Sequence, residues 1–184
     1  MELQDNWTLY LHYKDLGKMY NDNVEKLIEI SDIKTFWGTY NNIPKISDIF
    51  SDGKSFKKIK RTGGTPCAYS FFKGGIFPCW EDPMNNNGFE LSIRNNYNFN
   101  MFQDQWLNSM LQLISGNEKL ECINGIRVVD CTKGKSVLYR MEFWISDEKF
   151  KSDVEDILKS ELFSLSKCAL MYRSHVNIKE NVIT

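Results

Sequence analysis

Apolar residues recur along this chain at two different periods, and the order in which those periods alternate restricts the fold more than any other feature. Stretches rich in aromatic and branched residues predict strands at Trp7–Tyr13, Ala68–Lys73, Phe89–Arg94, Ile126–Asp130, Ser136–Trp144 and Cys168–His175. Three other stretches carry an apolar stripe at helical spacing. In the first, Ser31 or Asp32 is placed to cap a helix bearing Ile33, Phe36, Trp37 and Tyr40, which stops before Pro44. The second runs from Asn100 to Ser115 with a wide apolar face of Phe102, Trp106, Leu107, Met110, Leu111, Leu113 and Ile114. The third covers about Asp147 to Leu162, with Phe150, Val154, Ile157 and Leu158 in register. Strands punctuated by separated helices, without regular βαβ alternation, predict an α+β domain: a mostly antiparallel sheet with its helices on one face.

At 184 residues the chain is long enough for one well-filled core and short for two, so it reads as a single domain over 1–184. A formal net charge of −1 argues against holding long nucleic acid by phosphate neutralisation alone, but a compact nucleotide needs only a few local cations. Five cysteines (Cys67, Cys79, Cys122, Cys131 and Cys168) are odd in number and lack CxxC spacing, and only His12 and His175 stand beside them. That set offers no zinc site and reads as free thiols in a reducing compartment. No apolar run reaches membrane-spanning length and the first residues form no signal peptide, so a cytoplasmic or nuclear location is expected. The one strong charge run lies in an insertion at about 51–65, including Lys57, Lys58, Lys60 and Arg61, and reads as a solvated basic loop before it reads as a phosphate contact.

The segment Pro78-Cys79-Trp80-Glu81-Asp82 carries the chemistry. An electron-rich ring beside an acceptor-only carboxylate suits a cationic purine: the ring stacks on the base while both oxygens accept from N–H donors on its edge. Alone, the pentapeptide is weak evidence, because a loop Trp beside Glu is more often a packing anchor with a solvated neighbour. A Cys/His enzyme using His175 is the competing class, but no cysteine sits in a recognisable nucleophile context.

Six motifs in one order extend this reading. They are Trp7-Thr8-Leu9-Tyr10, Phe36-Trp37-Gly38-Thr39-Tyr40-Asn41, the run Phe72 to Asp82, Trp106-Leu107, Ile123-Asn124-Gly125, which reads as a turn, and Tyr172-Arg173-Ser174-His175. Together they resemble the translation initiation factor 4E family, which binds the 7-methylguanosine cap of messenger RNA. The resemblance runs from about Trp7 to His175 and implies a curved sheet with three helices on its convex face and a cap slot on its concave face. It implies no enzymatic activity, no cofactor and a monomer.

By resemblance, Trp80 and Tyr20 are the two rings that sandwich the base, Glu81 reads the guanine edge, and Trp144 lines the slot near the N7 methyl. N7 methylation makes the base cationic, which adds a cation–π attraction to stacking. Arg140 matches a phosphate-binding cation, and strand alternation places it on the same face as Trp144. The family's other phosphate arginine falls on Cys131, leaving Lys133 or Lys135 to supply charge without arginine's fork. Ile33, Trp37, Leu107 and Leu111 match the apolar positions where 4G-type scaffolds and 4E-binding proteins dock a helix, with Asn108 in place of a family glutamate. Because Phe36 and Trp37 are adjacent on a helix, Phe36 is expected inward and Trp37 outward. The resemblance implies an initiation factor that recruits a 4G-type scaffold. The alternative it leaves open is a repressor that occupies the cap without recruiting one.

Overall fold

Seven strands pair in the order β2-β1-β3-β5-β6-β4-β7, every pairing antiparallel. The structure, a computed structural model, describes residues 1–14, 19–51, 54, 64–95, 99–162 and 170–176. The strands are β1 (Glu2–Lys14), β2 (Val24–Asp32), β3 (Thr65–Lys73), β4 (Phe89–Asn95), β5 (Ile123–Asp130), β6 (Tyr139–Ile145) and β7 (Met171–Ser174). The helices are α1 (Ile33–Asn42), a single turn α2 (Ile46–Ile49), α3 (Phe99–Ile114) and α4 (Lys151–Ile157), the last extended by a π turn over Leu158–Leu162. Cys168 and most of the basic insertion lie outside the described residues. Among the described residues no helix is long and apolar enough to cross a membrane.

Strand alternation divides the sheet into two chemically distinct faces. Trp7, Leu9, Leu11, Tyr69, Phe71, Phe89, Leu91, Ile126, Val128, Met141 and Phe143 all point to the helical side and join one core with Phe36, Phe102, Trp106, Met110, Val154 and Leu158. Trp7 stacks on Phe71 with ring centroids 4.9 Å apart. Thr8, Tyr10, His12, Ser70, Phe72, Glu90, Ser92, Arg127, Arg140, Glu142 and Trp144 occupy the alternate positions, on the concave side. Most of these are buried despite their polarity, so the concave face is a walled floor and not an open surface.

Several expectations hold and others shift. Asp32 caps α1 by accepting from the Thr35 backbone N–H at 2.9 Å. Phe36 is 1% exposed and Trp37 38%, so Phe36 lies inward and Trp37 outward as expected, with the two rings still meeting edge-on at 5.3 Å between centroids. The strand β2 was not visible in the sequence: Glu25, Lys26 and Glu29 interrupt its apolar residues, and these charges suit an edge strand that pairs on one side only. Residues 136–138 do not open β6, because Gly134 (φ 59°) and the Lys133–Ser136 bridge close a turn there first. The third helical span is α4 flanked by a 3-10 turn at Glu148–Phe150 and the π turn, not one continuous helix.

Ile123-Asn124-Gly125 is likewise the bulged start of β5 and not a turn. Gly125 lies opposite Phe72 on β3, and a Cβ there would stand 2.3 Å from the Phe72 ring. The glycine lets that ring lie on the strand and meet Trp144 edge-on at 5.4 Å between centroids. Gly125→Ala is therefore expected to destabilise the protein by about 1–3 kcal/mol through overpacking, measured as a lower urea midpoint at unchanged slope.

Candidate functional site

The loop between β3 and β4 is fixed by side chains that serve its backbone. The Asp82 carboxylate accepts from the backbone N–H of Phe77 and of Met84, both at 2.9 Å. Asn85, fully buried, donates to the carbonyls of Phe77 (3.0 Å) and Cys79 (2.9 Å). Asn124 at the start of β5 donates to Met84 O (2.6 Å) and to the Asn85 amide oxygen (3.0 Å), and the His175 ring contacts Asn85 O at 2.7 Å. Trp80 and Glu81 thus project from a loop whose polar backbone groups are already satisfied, with Trp80 half-buried and Glu81 exposed.

Tyr20 reaches this loop from the other side. Its hydroxyl donates to Pro78 O at 2.6 Å, accepts from Arg127 Nη1 at 3.2 Å and lies 3.3 Å from His12 Nδ1. The ring stays 42% exposed while the enclosed hydroxyl has its pKa pushed up to about 12, burial outweighing the nearby Arg127 charge. Tyr20, Trp80, Glu81 and Trp144 line one cavity of about 240 Å³ together with Glu90, Arg127, Arg173 and His175. Four residues predicted for base recognition, spread over more than 120 positions of sequence, therefore converge on a single cleft.

Beneath the cleft lies a charge cluster that sequence reasoning missed. Glu142, fully buried on β6, pairs with Arg127 Nε at 2.6 Å and with the Arg140 guanidinium, and accepts from the Trp144 indole N–H at 3.1 Å. Arg127 also sits 4.8 Å over the Trp144 ring. Burial alone would raise the Glu142 pKa, but the two guanidiniums pull it below the usual carboxylate range. His12 is held neutral beside Ser70 Oγ (2.7 Å), its pKa lowered to about 3 by burial and by Arg127. The signal for the cluster was present as a charged residue inside each of two apolar strands. What the sequence lacked was the register that sets Arg127 opposite Glu142.

The predicted phosphate cations are placed less tightly. Arg140 shares the Trp144 face, as alternation required, but its guanidinium is engaged with Glu142 and does not line the cavity. Lys133 and Lys135 are exposed on the turn after β5, and Cys131 is a half-buried thiol. On the helical side Ile33, Leu107 and Leu111 are half-buried against the core, with Trp37 and Asn108 exposed.

Removing Arg127 takes away one of the two guanidiniums that compensate buried Glu142 and leaves only Arg140 and the Trp144 N–H with it. Arg127→Ala is expected to cost about 3–5 kcal/mol, read from chemical denaturation, because Glu142 has no solvent to turn to.

Comparisons with known proteins bear on the identity of the fold. A family profile described as eukaryotic initiation factor 4E matches residues 2–182. Eukaryotic translation initiation factor 4E-1B of Danio rerio is 32% identical over 114 residues, a match spanning 61% of this chain and 47% of that protein. Eukaryotic translation initiation factor 4E of Xenopus laevis is 27% identical over 180 residues, spanning 95% of this chain and 77% of that protein. The fold matches C. elegans eIF4E-3 in complex with the 4E-binding protein Mextli and a cap analog, with a TM-score of 0.75 at 22% identity over 100% of this chain and 95% of that one. It also matches Ascaris suum eIF4E-3 in complex with the m7G cap, with a TM-score of 0.76 at 22% identity over 95% and 91%. With its profile match running almost end to end over a sheet that gathers the motif residues into one cleft, this chain belongs to the eukaryotic initiation factor 4E family.

Proposed function

We propose that this chain is a single cap-binding domain that holds the 7-methylguanosine 5′ cap of mRNA and takes part in translation initiation without performing chemistry. The observation that carries the reading is the convergence of Tyr20, Trp80, Glu81 and Trp144 on one cleft. Trp80 and Tyr20 supply the stacking faces, and Glu81, exposed at the rim, accepts from the N–H groups of the guanine edge. Trp144 lines the inner wall where the methyl group sits. Arg140, Lys133 and Lys135 remain the candidates for the cap phosphates, and Arg127, which lines the cleft, joins them. The relatives' complexes with cap analogues support the same assignment.

On the convex face, Ile33, Trp37, Leu107 and Leu111 form the docking surface for a 4G-type scaffold or a 4E-binding protein, and the Mextli complex of the C. elegans relative supports a partner of the second kind. Exposure of Trp37 above a buried Phe36 is what such a surface needs. A repressor reading is favoured by Asn108, which removes a charge partner for a basic residue on a docking helix, and by the phenol at Tyr20, which stacks less area than an indole. The protein acts in the cytoplasm on either reading.

Tryptophan-quench titration with a 7-methylguanosine cap analogue and its unmethylated counterpart tests the slot. Trp80→Ala is expected to abolish binding, and Glu81→Ala to weaken it by roughly 2–3 kcal/mol through lost charge-assisted hydrogen bonds. Tyr20→Ala is expected to cost about 1–3 kcal/mol of stacking. Folded variants that bind like wild type would place the cap elsewhere.

Trp37→Ala separates surface from core. An exposed ring leaves no cavity, so the melting temperature should stay close to wild type while binding of a Tyr-x4-Leu-hydrophobic peptide is lost. A loss of about 3–5 kcal/mol in stability would instead mark Trp37 as core. Retention of a 4G-type scaffold in co-purification favours the initiation factor, and its absence with intact cap binding favours the repressor.

A further inference from the structure

The inner wall of the cleft holds a second carboxylate that the reading above leaves without a role. Glu90, on β4, is 3% exposed and lines the same cavity as Trp80 and Glu81. It lies directly opposite Trp144 on β6 and opposite Arg173 on β7. Of the donors nearby, Arg127, Arg140 and the Trp144 indole all converge on Glu142, and Arg173, opposite on β7 and lining the same cavity, forms no ion pair with Glu90. Among the described residues no hydrogen bond or ion pair engages the Glu90 carboxylate. A carboxylate that is nearly enclosed, faces a cavity and lacks its own donor is set to receive a partner from the cavity.

The chemistry of that partner follows from position. Resting on the cap reading, Glu81 stands at the edge of the base that donates N–H groups, an edge that methylated and unmethylated guanine share. The opposite side of the base carries the N7 methyl and the positive charge it creates, and this side abuts Trp144, the cross-strand neighbour of Glu90. We propose that Glu90 is a second, charge-sensing carboxylate of the slot, which selects a cationic N7-alkylated purine over its neutral counterpart while Glu81 reads the edge common to both. A carboxylate close to a delocalised cation within a low-dielectric wall gains far more than one in water.

The groups that face Glu90 make its charge dependent on the ligand. Glu142 repels it from β6, while Arg127 on β5, Arg140 on β6 and the exposed Arg173 on β7 attract it; Glu81, Tyr20 and His175 lie across the cavity. Burial first, and Glu142 second, push its pKa up to about 7. Ionisation is then divided near neutrality, and an entering cation favours the charged form.

The test compares the full chain with Glu90→Gln by titrating 7-methylguanosine diphosphate and guanosine diphosphate at pH 6, 7 and 8. The ratio of dissociation constants, variant over wild type, cancels the ionisation of the ligand, which is common to both proteins. For the methylated nucleotide that ratio is expected to be about tenfold at pH 8, where wild-type Glu90 is ionised, and to fall towards one at pH 6, where it is mostly protonated. The unmethylated nucleotide should show little change, whereas Glu81→Gln should weaken both. The variant should melt at or above wild type at pH 8, since a raised carboxylate pKa destabilises the fold as pH rises through it; should Glu90→Gln not fold, Glu90→Leu gives the same readings. A ratio that stays flat with pH, or equal losses for both nucleotides, overturns the proposal while leaving the cap reading intact. Wild type that fails to prefer the methylated nucleotide overturns the cap reading and this inference with it.

Discussion

Everything on the concave side of the sheet depends on how Glu142 is compensated. A fully buried carboxylate is tolerated only with several donors, and this one takes two guanidiniums and an indole N–H, two of them from residues that line the cleft, Arg127 and Trp144. The hydrogen bond to Trp144 sets the plane of the indole, and Arg127 lies over that ring while holding the Tyr20 hydroxyl. One carboxylate therefore positions the inner wall, one outer ring and the cation between them. Such a network is worth little as net stability, yet loss of Glu142 would leave two guanidiniums without the carboxylate they share, so it fixes geometry more than it adds to folding.

The second support is the hydrogen-bonded loop that carries Trp80 and Glu81. Asp82, Asn85 and Asn124 satisfy its carbonyls and N–H groups in place of a regular ladder, which gives an irregular segment the rigidity of a strand. His175 ties the end of β7 to the same loop through Asn85 and packs at 4.7 Å between centroids on Trp144. The residue that read as a strand end in the sequence thus joins the loop to the inner wall.

Legibility in the sequence followed local chemistry. The helices α1 and α3, the inward Phe36 and outward Trp37, and the loop at Pro78–Asp82 could be read because each signal lies within a few residues. β2 was hidden because its charges fit an edge strand and mask the period of two. The Arg127–Glu142 pair was hidden for a deeper reason: a charge at every second position of a strand normally means a solvated face, and only cross-strand register shows that these two meet and are buried. Gly125 read as a turn residue because the sequence does not reveal the Phe72 ring that needs its missing Cβ.

Tyr20 illustrates how the structure alters a judgement made on ring area alone. Judged by stacking surface, a phenol is a weaker platform than an indole. Here, however, its hydroxyl both donates to Pro78 O and accepts from Arg127, two roles that one indole N–H cannot fill together. The phenol is thereby fixed to the loop that carries Trp80, and on the proposed cap reading the two stacking rings are tied together before any base enters. Less of the binding free energy is then lost in ordering the slot, and this preorganisation offsets part of the smaller contact area. The arginine that pairs with Glu142 is the same group that holds the phenol in place, so the charge cluster beneath the cleft and the ring at its mouth form one hydrogen-bonded unit.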